Sequence, residues 1–197
     1  MRAKVVSKVF FDGPAAGLMA KRLEKNRDGE LEAIEELAPS AADRVLAIGF
    51  GPGIGIELLA PRVAHVAGVD PSKAMVKIAT ERCRALIDAG RVELVRAAAH
   101  SLPWDDATFD GVVTVNTIQL WDPFEESVAE VARVMKPGAR LVSYTHDWAI
   151  EMFGGGPVDA WAERVSSVCS RRGLVEARHW YGTAEDGKIV AFVVRRG

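Results

Sequence analysis

Residues Val45–Gly55, VLAIGFGPGIG, constrain this chain more than any other stretch. A short apolar run, Val45–Ile48, ends in a loop with glycine at alternate positions: Gly49, Gly51, Gly53 and Gly55. Helical spacing follows in Ile56, Leu58, Leu59 and Ala60. A strand that turns through bare backbone into a helix lets a ligand approach main-chain N–H groups. A second strand, Val63–Val69, ends in Asp70, whose carboxylate can accept hydrogen bonds from a ribose diol. Together these features imply a nucleoside-containing ligand lying across the tips of parallel strands.

The rest of the chain alternates strand and helix. Ser72 caps a helix running to about Leu86, with Met75, Ile78, Ala79, Cys83 and Leu86 at helical spacing and Gly90 as its stop. Val92–Val95 is the third strand. Phe109–Val115 is the fourth, apolar enough to be buried on both faces. Asp122-Pro123-Phe124-Glu125 predicts a helix start, with Asp as N-cap and Pro at the first position. Its buried face is Phe124, Val128, Val131, Ala132 and Met135, and Pro137-Gly138 stops it. Arg140–Thr145 is the fifth strand, and Pro157–Arg172 is a further helix ended by Gly173. Leu174–Tyr181 and Lys188–Arg195 are strands joined by Gly182–Gly187, too short for a helical crossover, so this pair is antiparallel.

A chain of 197 residues, nearly half of them hydrophobic, makes one domain or one domain with a small extension. Residues 1–40 form an N-terminal helical cap: the apolar run Val5–Phe11, a break at Gly13-Pro14, then helices over Ala15–Asn26 and Asp28–Leu37. In the second helix Leu31, Ile34, Leu37 and Ala38 share a face. Residues 41–197 form the compact ligand-binding unit. The net charge of −2 gives no basic footprint for nucleic acid. The pairs Arg171–Arg172 and Arg195–Arg196 are solvated ends. No apolar run of membrane-spanning length and no leader pattern stands out. Cys83 and Cys169 fall at apolar helix positions, which suits buried free thiols in a reducing cytoplasm. No Cys/His cluster has metal-ligand spacing, so no metal is expected. A monomer or a homodimer is expected.

The glycine spacing discriminates among nucleotide folds. The dinucleotide fingerprint G-x-G-x-x-G fails from Gly49, where Ile54 stands sixth, and from Gly51, where Ile56 does. No Gly-Lys-Ser/Thr follows, so a P-loop fails too. The G-x-G-x-G turn resembles motif I of class I S-adenosylmethionine (SAM)-dependent methyltransferases. Phe109-Asp110-Gly111-Val112-Val113 is similar to that family's fourth strand. Arg133-Val134-Met135-Lys136-Pro137-Gly138-Ala139 resembles its R-x-L-K-P-G-G turn, and Ala98–Trp104 resembles its D-A-x-x-L-P-F segment. The resemblance spans about Asp43 to Arg195. It implies a doubly wound α/β fold, with a mostly parallel seven-stranded sheet, a C-terminal antiparallel hairpin and added N-terminal helices.

It also implies roles. Gly49, Phe50, Gly51 and Gly53 would offer backbone to the methionine and ribose parts of SAM. Asp70, beside Pro71, would take the ribose hydroxyls. Ala98, Ala99 and His100 would meet the adenine, and Asn116 would lie beside the methionyl group. Met75 either packs on adenine or belongs to the core. Residues 117–121, with Gln119 and Trp121, would face the transferring methyl. Trp104, Trp121 and Trp148, with Phe153 and Gly154-Gly155-Gly156 nearby, are either an aromatic rim around a small acceptor or plugs at the core's end. His146 is either a base for the acceptor's proton or a pocket-wall histidine. His100 suits the cofactor side.

Two departures stand out. Ala47 occupies the first-strand position that usually holds an acid, and Ala98 replaces the adenine-binding acid. A lost charge-assisted hydrogen bond costs ~1.5–3 kcal/mol, so the two losses together would weaken binding by roughly one to several powers of ten. The leading expectation is a methyltransferase acting on O, N or C of a small molecule. The alternatives are a cyclase or isomerase on the same scaffold, or a non-catalytic SAM-binding protein.

Overall fold

The computed structural model describes residues 11–153, 156–184 and 187–197. The run Val5–Phe11 lies outside them except for Phe11, and so do Gly154 and Gly155. Seven strands form one sheet: β1 Arg44–Ile48, β2 His65–Val69, β3 Val92–Val95, β4 Phe109–Val115, β5 Met135–His146, β6 Leu174–Ala184 and β7 Gly187–Arg196. Their order is β3-β2-β1-β4-β5-β7-β6. The first five are parallel, and β7 runs antiparallel between β5 and β6.

The sheet is covered on both faces because its central strands carry buried apolar residues on both of their alternating sides. On one face Leu46, Ala67, Val112, Leu141 and Phe192 pack under α6 (Phe124–Val134) and α8 (Val158–Arg171). On the other, Val45, Val66, Val113, Val142 and Ala191 pack under α2 (Arg27–Leu37), α3 (Ile54–Leu59) and α4 (Lys73–Arg82). The remaining helices are α1 (Ala16–Leu23), α5 (Arg84–Asp88) and α7 (Asp147–Met152). Gly111 shows how closely α2 approaches the sheet: a Cβ there would stand 3.1 Å from Leu37 Cδ1.

Several element limits differ from the sequence expectation. Asp122 does not cap α6: Pro123 holds the N-cap position in an extended conformation, and no side chain caps the helix. The helix ends at Val134, three residues before Pro137. Its last carbonyls are taken from elsewhere, Arg133 O by Ala107 N at 3.0 Å and Val134 O by Thr108 N at 2.8 Å. Met135 therefore enters the sheet at once, opposite Phe109, and Lys136–Ala139 bulge before pairing resumes at Gly111 and Arg140. These partners lie far away in sequence, so local stop signals could not reveal them. The helix capped by Ser72 breaks at Cys83 into α4 and α5. Ala38 is exposed, not on the apolar face of α2, because it adopts the left-handed conformation that ends the helix.

Candidate active site

Strand order reverses between β1 and β4, and a cavity of about 480 Å³ opens at the C-terminal ends of the strands there. That volume suits a cofactor or drug-sized ligand. The glycine loop forms its floor. Gly49 (φ +70°) carries no side chain because a Cβ would collide with Thr117. Thr117 in turn donates to Ile48 O at 3.1 Å, tying the β4 tip to the β1 tip. Gly51 (φ +53°) adopts the left-handed conformation, and a Cβ there would only touch Leu23 Cδ1 at 3.6 Å, so its backbone conformation rather than crowding favours glycine.

Asp70 is the fixed polar point of the cavity. Its Oδ2 accepts from Gly51 N at 2.9 Å and its Oδ1 from Ser72 N at 2.8 Å. Burial pushes its pKa up to about 6 despite these two donors, and the nearby Asp12 adds to the rise. A carboxylate has about four acceptor sites, so two remain for a vicinal diol. Ser72 also binds the N-terminal segment: its hydroxyl lies 2.8 Å from Phe11 O and 2.9 Å from Asp12 Oδ1. Phe11 and Asp12 thereby form one cavity wall.

A second wall is residues 96–100, held from behind by α6. Glu130 Oε1 accepts from Leu102 N at 3.0 Å, and Arg133 donates to Leu102 O at 3.3 Å and to Glu130 at 2.8 Å. The arginine of the R-x-L-K-P-G-like segment thus braces the wall rather than touching the cavity. Asn116 sits at the β4 tip with φ +55°, a conformation asparagine tolerates. Its side-chain Oδ1 accepts from His146 N at 2.8 Å and lies 3.1 Å from His146 Nδ1. A backbone N–H can only donate, so the accepting atom is the oxygen and Nδ1 carries the proton.

The structure brings Gly49, Phe50, Gly51, Asp70, Pro71, Ala98, Ala99, His100, Asn116, Gln119 and Trp121 around the cavity. Five of the singled-out residues lie elsewhere. Gly53 packs on α4, where a Cβ would stand 3.0 Å from Ala79 Cβ. Met75 is buried in a small cluster with Ala16 and Ala20 of α1. Trp104 packs edge-on against Phe109 at 5.2 Å and donates to Glu93 at 3.3 Å. Trp148 and His146 lie behind Asn116, their rings 5.9 Å apart. Phe11, Asp12, Leu23, Asn26 and Glu30 line the cavity but carry no motif. Glu30 had one signal: it falls on the helical stripe that includes Ala33, Ile34 and Leu37, where a charge is out of place.

Two polar atoms of cavity-lining residues, Gln119 Oε1 and Trp121 Nε1, are buried without a hydrogen-bond partner among the described residues. A ligand bearing both a donor and an acceptor would satisfy them.

The family described as "Methyltransferase domain" matches residues 46–143. A demethylmenaquinone methyltransferase of Clavibacter sepedonicus is 36% identical over 107 residues, covering 54% of this chain and 42% of that protein. A SAM-dependent methyltransferase from Aquifex aeolicus superposes with a TM-score of 0.71 at 19% identity, covering 90% of this chain and 97% of that one. Haemonchus contortus phosphoethanolamine N-methyltransferase 2, solved in complex with SAM, gives a TM-score of 0.70 at 18% identity, covering 86% and 52%. The chain spans about half the length of the curated relatives it matches.

Proposed function

We propose that this chain, which belongs to the class I SAM-dependent methyltransferase family, transfers a methyl group from SAM to an O, N or C atom of a small molecule. The observation that carries the reading is Asp70, held by Gly51 N and Ser72 N at the head of the cavity with acceptor capacity to spare. In this reading Asp70 binds the ribose diol, the turn Gly49–Gly51 lies under the sulfur end, and Ala98 to His100 border the adenine. SAM supplies an activated methyl on a sulfonium, so the protein's work is alignment and exclusion of water.

The acceptor lies beside Asn116, between Gln119 and Trp121. Gln119 Oε1 and Trp121 Nε1 give it one acceptor and one donor, and the indole and Leu120 give it an apolar wall. This pattern suits a flat, largely apolar molecule with a hydroxyl or amine. His146 acts through Asn116 as a positioning residue, since it does not line the cavity. The net charge of −2 supports a small-molecule acceptor rather than a nucleic acid, and the two buried free cysteines support a cytoplasmic site of action.

The test is transfer of label from methyl-labelled SAM to a metabolite extract. Protein-dependent label in a small-molecule fraction is expected. Binding of SAM with no transfer to any fraction would move the reading to a non-methylating member of the fold.

A further inference from the structure

The side chain of Glu30 belongs to no motif, yet it enters the cavity from α2. Its carboxyl group rests on the backbone of Gly55, where any side chain would collide with it. It also lines a small crevice of about 10 Å³ beside Ala47 and Val113, between β1 and β4. Glu30 is half-buried, with its carboxyl group at the cavity wall, and desolvation there is the cause of a pKa raised to about 8. Among the described residues no hydrogen bond or ion pair reaches it. A carboxyl so placed is stable as the neutral acid, or as the anion once a cation arrives.

We propose that Glu30 is the anchor for the α-ammonium group of the cofactor's amino-acid tail. The proposal rests on the SAM assignment above, and topology gives the direction. Asp70 closes β2 and residues 96–99 follow β3, so a ligand with its diol at Asp70 and its base toward β3 extends its tail over β1 and β4. Glu30 is the acid over that end. The three other acids that line the cavity are placed otherwise: Asp12 is engaged by Ser72 and Ala74 N, Asp70 stands at β2, and Asp122 lies beyond Trp121 and is itself engaged. The small residues Ala47 and Gly55 make the space that Glu30 fills. A carboxylate from a helix thus does what Ala47, on the first strand, cannot.

Isothermal titration calorimetry with two ligands tests this. S-adenosylhomocysteine carries the ammonium, and 5′-methylthioadenosine keeps the adenosine and sulfur but lacks the amino-acid tail. Glu30→Gln keeps the shape and removes the charge. The expected result is at least a tenfold weaker Kd for S-adenosylhomocysteine and less than a twofold change for methylthioadenosine. An S-adenosylhomocysteine Kd changed less than twofold, or equal losses on both ligands, would overturn the anchor role while leaving the cofactor assignment standing. Failure of both ligands to bind the unaltered chain would instead overturn the cofactor assignment, and the anchor with it.

Discussion

Replacing Glu30 with Gln should stabilise the cofactor-free protein, and increasingly so as pH rises. The folded state holds the Glu30 proton up to about pH 8, whereas the unfolded chain releases it near 4.5. Between those values the unfolded state binds fewer protons, so stability falls with rising pH. The favourable contribution is complete below pH 4.5 and is lost as pH climbs through the folded value. Each pH unit in that window costs about 1.4 kcal/mol. At pH 7 the accumulated cost is roughly 3 kcal/mol. Glutamine is neutral in both states and carries no such slope. Asp70 contributes in the same direction up to about pH 6, but equally in both proteins, so it cancels from the difference. Urea unfolding at pH 5, 6 and 7 without ligand measures it. The two proteins should be nearly equal at pH 5 and diverge at pH 7 by roughly 3 kcal/mol, or several degrees in Tm for a chain of this size. A difference independent of pH, or a variant less stable at pH 7, would refute the reasoning.

Asp70→Asn leaves Gly51 N or Ser72 N facing an amide donor and removes the charge offered to the diol. S-adenosylhomocysteine affinity should fall by roughly a hundredfold in calorimetry, on the scale of two charge-assisted hydrogen bonds. Gly68→Ala puts a Cβ 2.7 Å from Phe50 Cδ1 and 2.9 Å from Leu94 Cδ2, so urea unfolding should show a loss of ~1–3 kcal/mol. Cys83 and Cys169 are buried, with thiols pushed up to about 11 and 12 by burial. Both should resist a thiol reagent at pH 8 in the native state and react at once in denaturant.

The strands and most helices were legible in the sequence because their signals are local: apolar runs for a sheet buried on both faces, and Ser72 for the start of α4. At the start of α6 the extended Pro123 takes the N-cap position expected of Asp122, and at its end the cause is remote. Its C-terminal carbonyls are satisfied by Ala107 and Thr108, and no local pattern reveals partners so distant. The glycine loop and Asp70, which line the cavity, could be singled out because a glycine pattern and an acid at a strand end are local features. Gly53 and Met75 flank those residues in sequence but pack against α4 and α1, a distinction that only the packing of the helices discloses. The tryptophans divided: Trp121 reached the cavity, while Trp104 and Trp148 served the sheet edge and the pocket's rear. Glu30 was visible only as a charge on an apolar helical stripe. Its meaning depends on Gly55, Ala47 and the crossover between β1 and β4, which the fold alone assembles.

The central claim is that the cavity above Gly49–Gly51 and beside Asp70 holds an adenosyl cofactor and not a dinucleotide. Thermal unfolding with S-adenosylhomocysteine or NADH in large excess tests it most directly. A ligand at ~100 times its Kd stabilises by roughly 2.7 kcal/mol. The account predicts a rise of several degrees with S-adenosylhomocysteine and none with NADH. A rise with NADH alone, or with neither ligand, would contradict it.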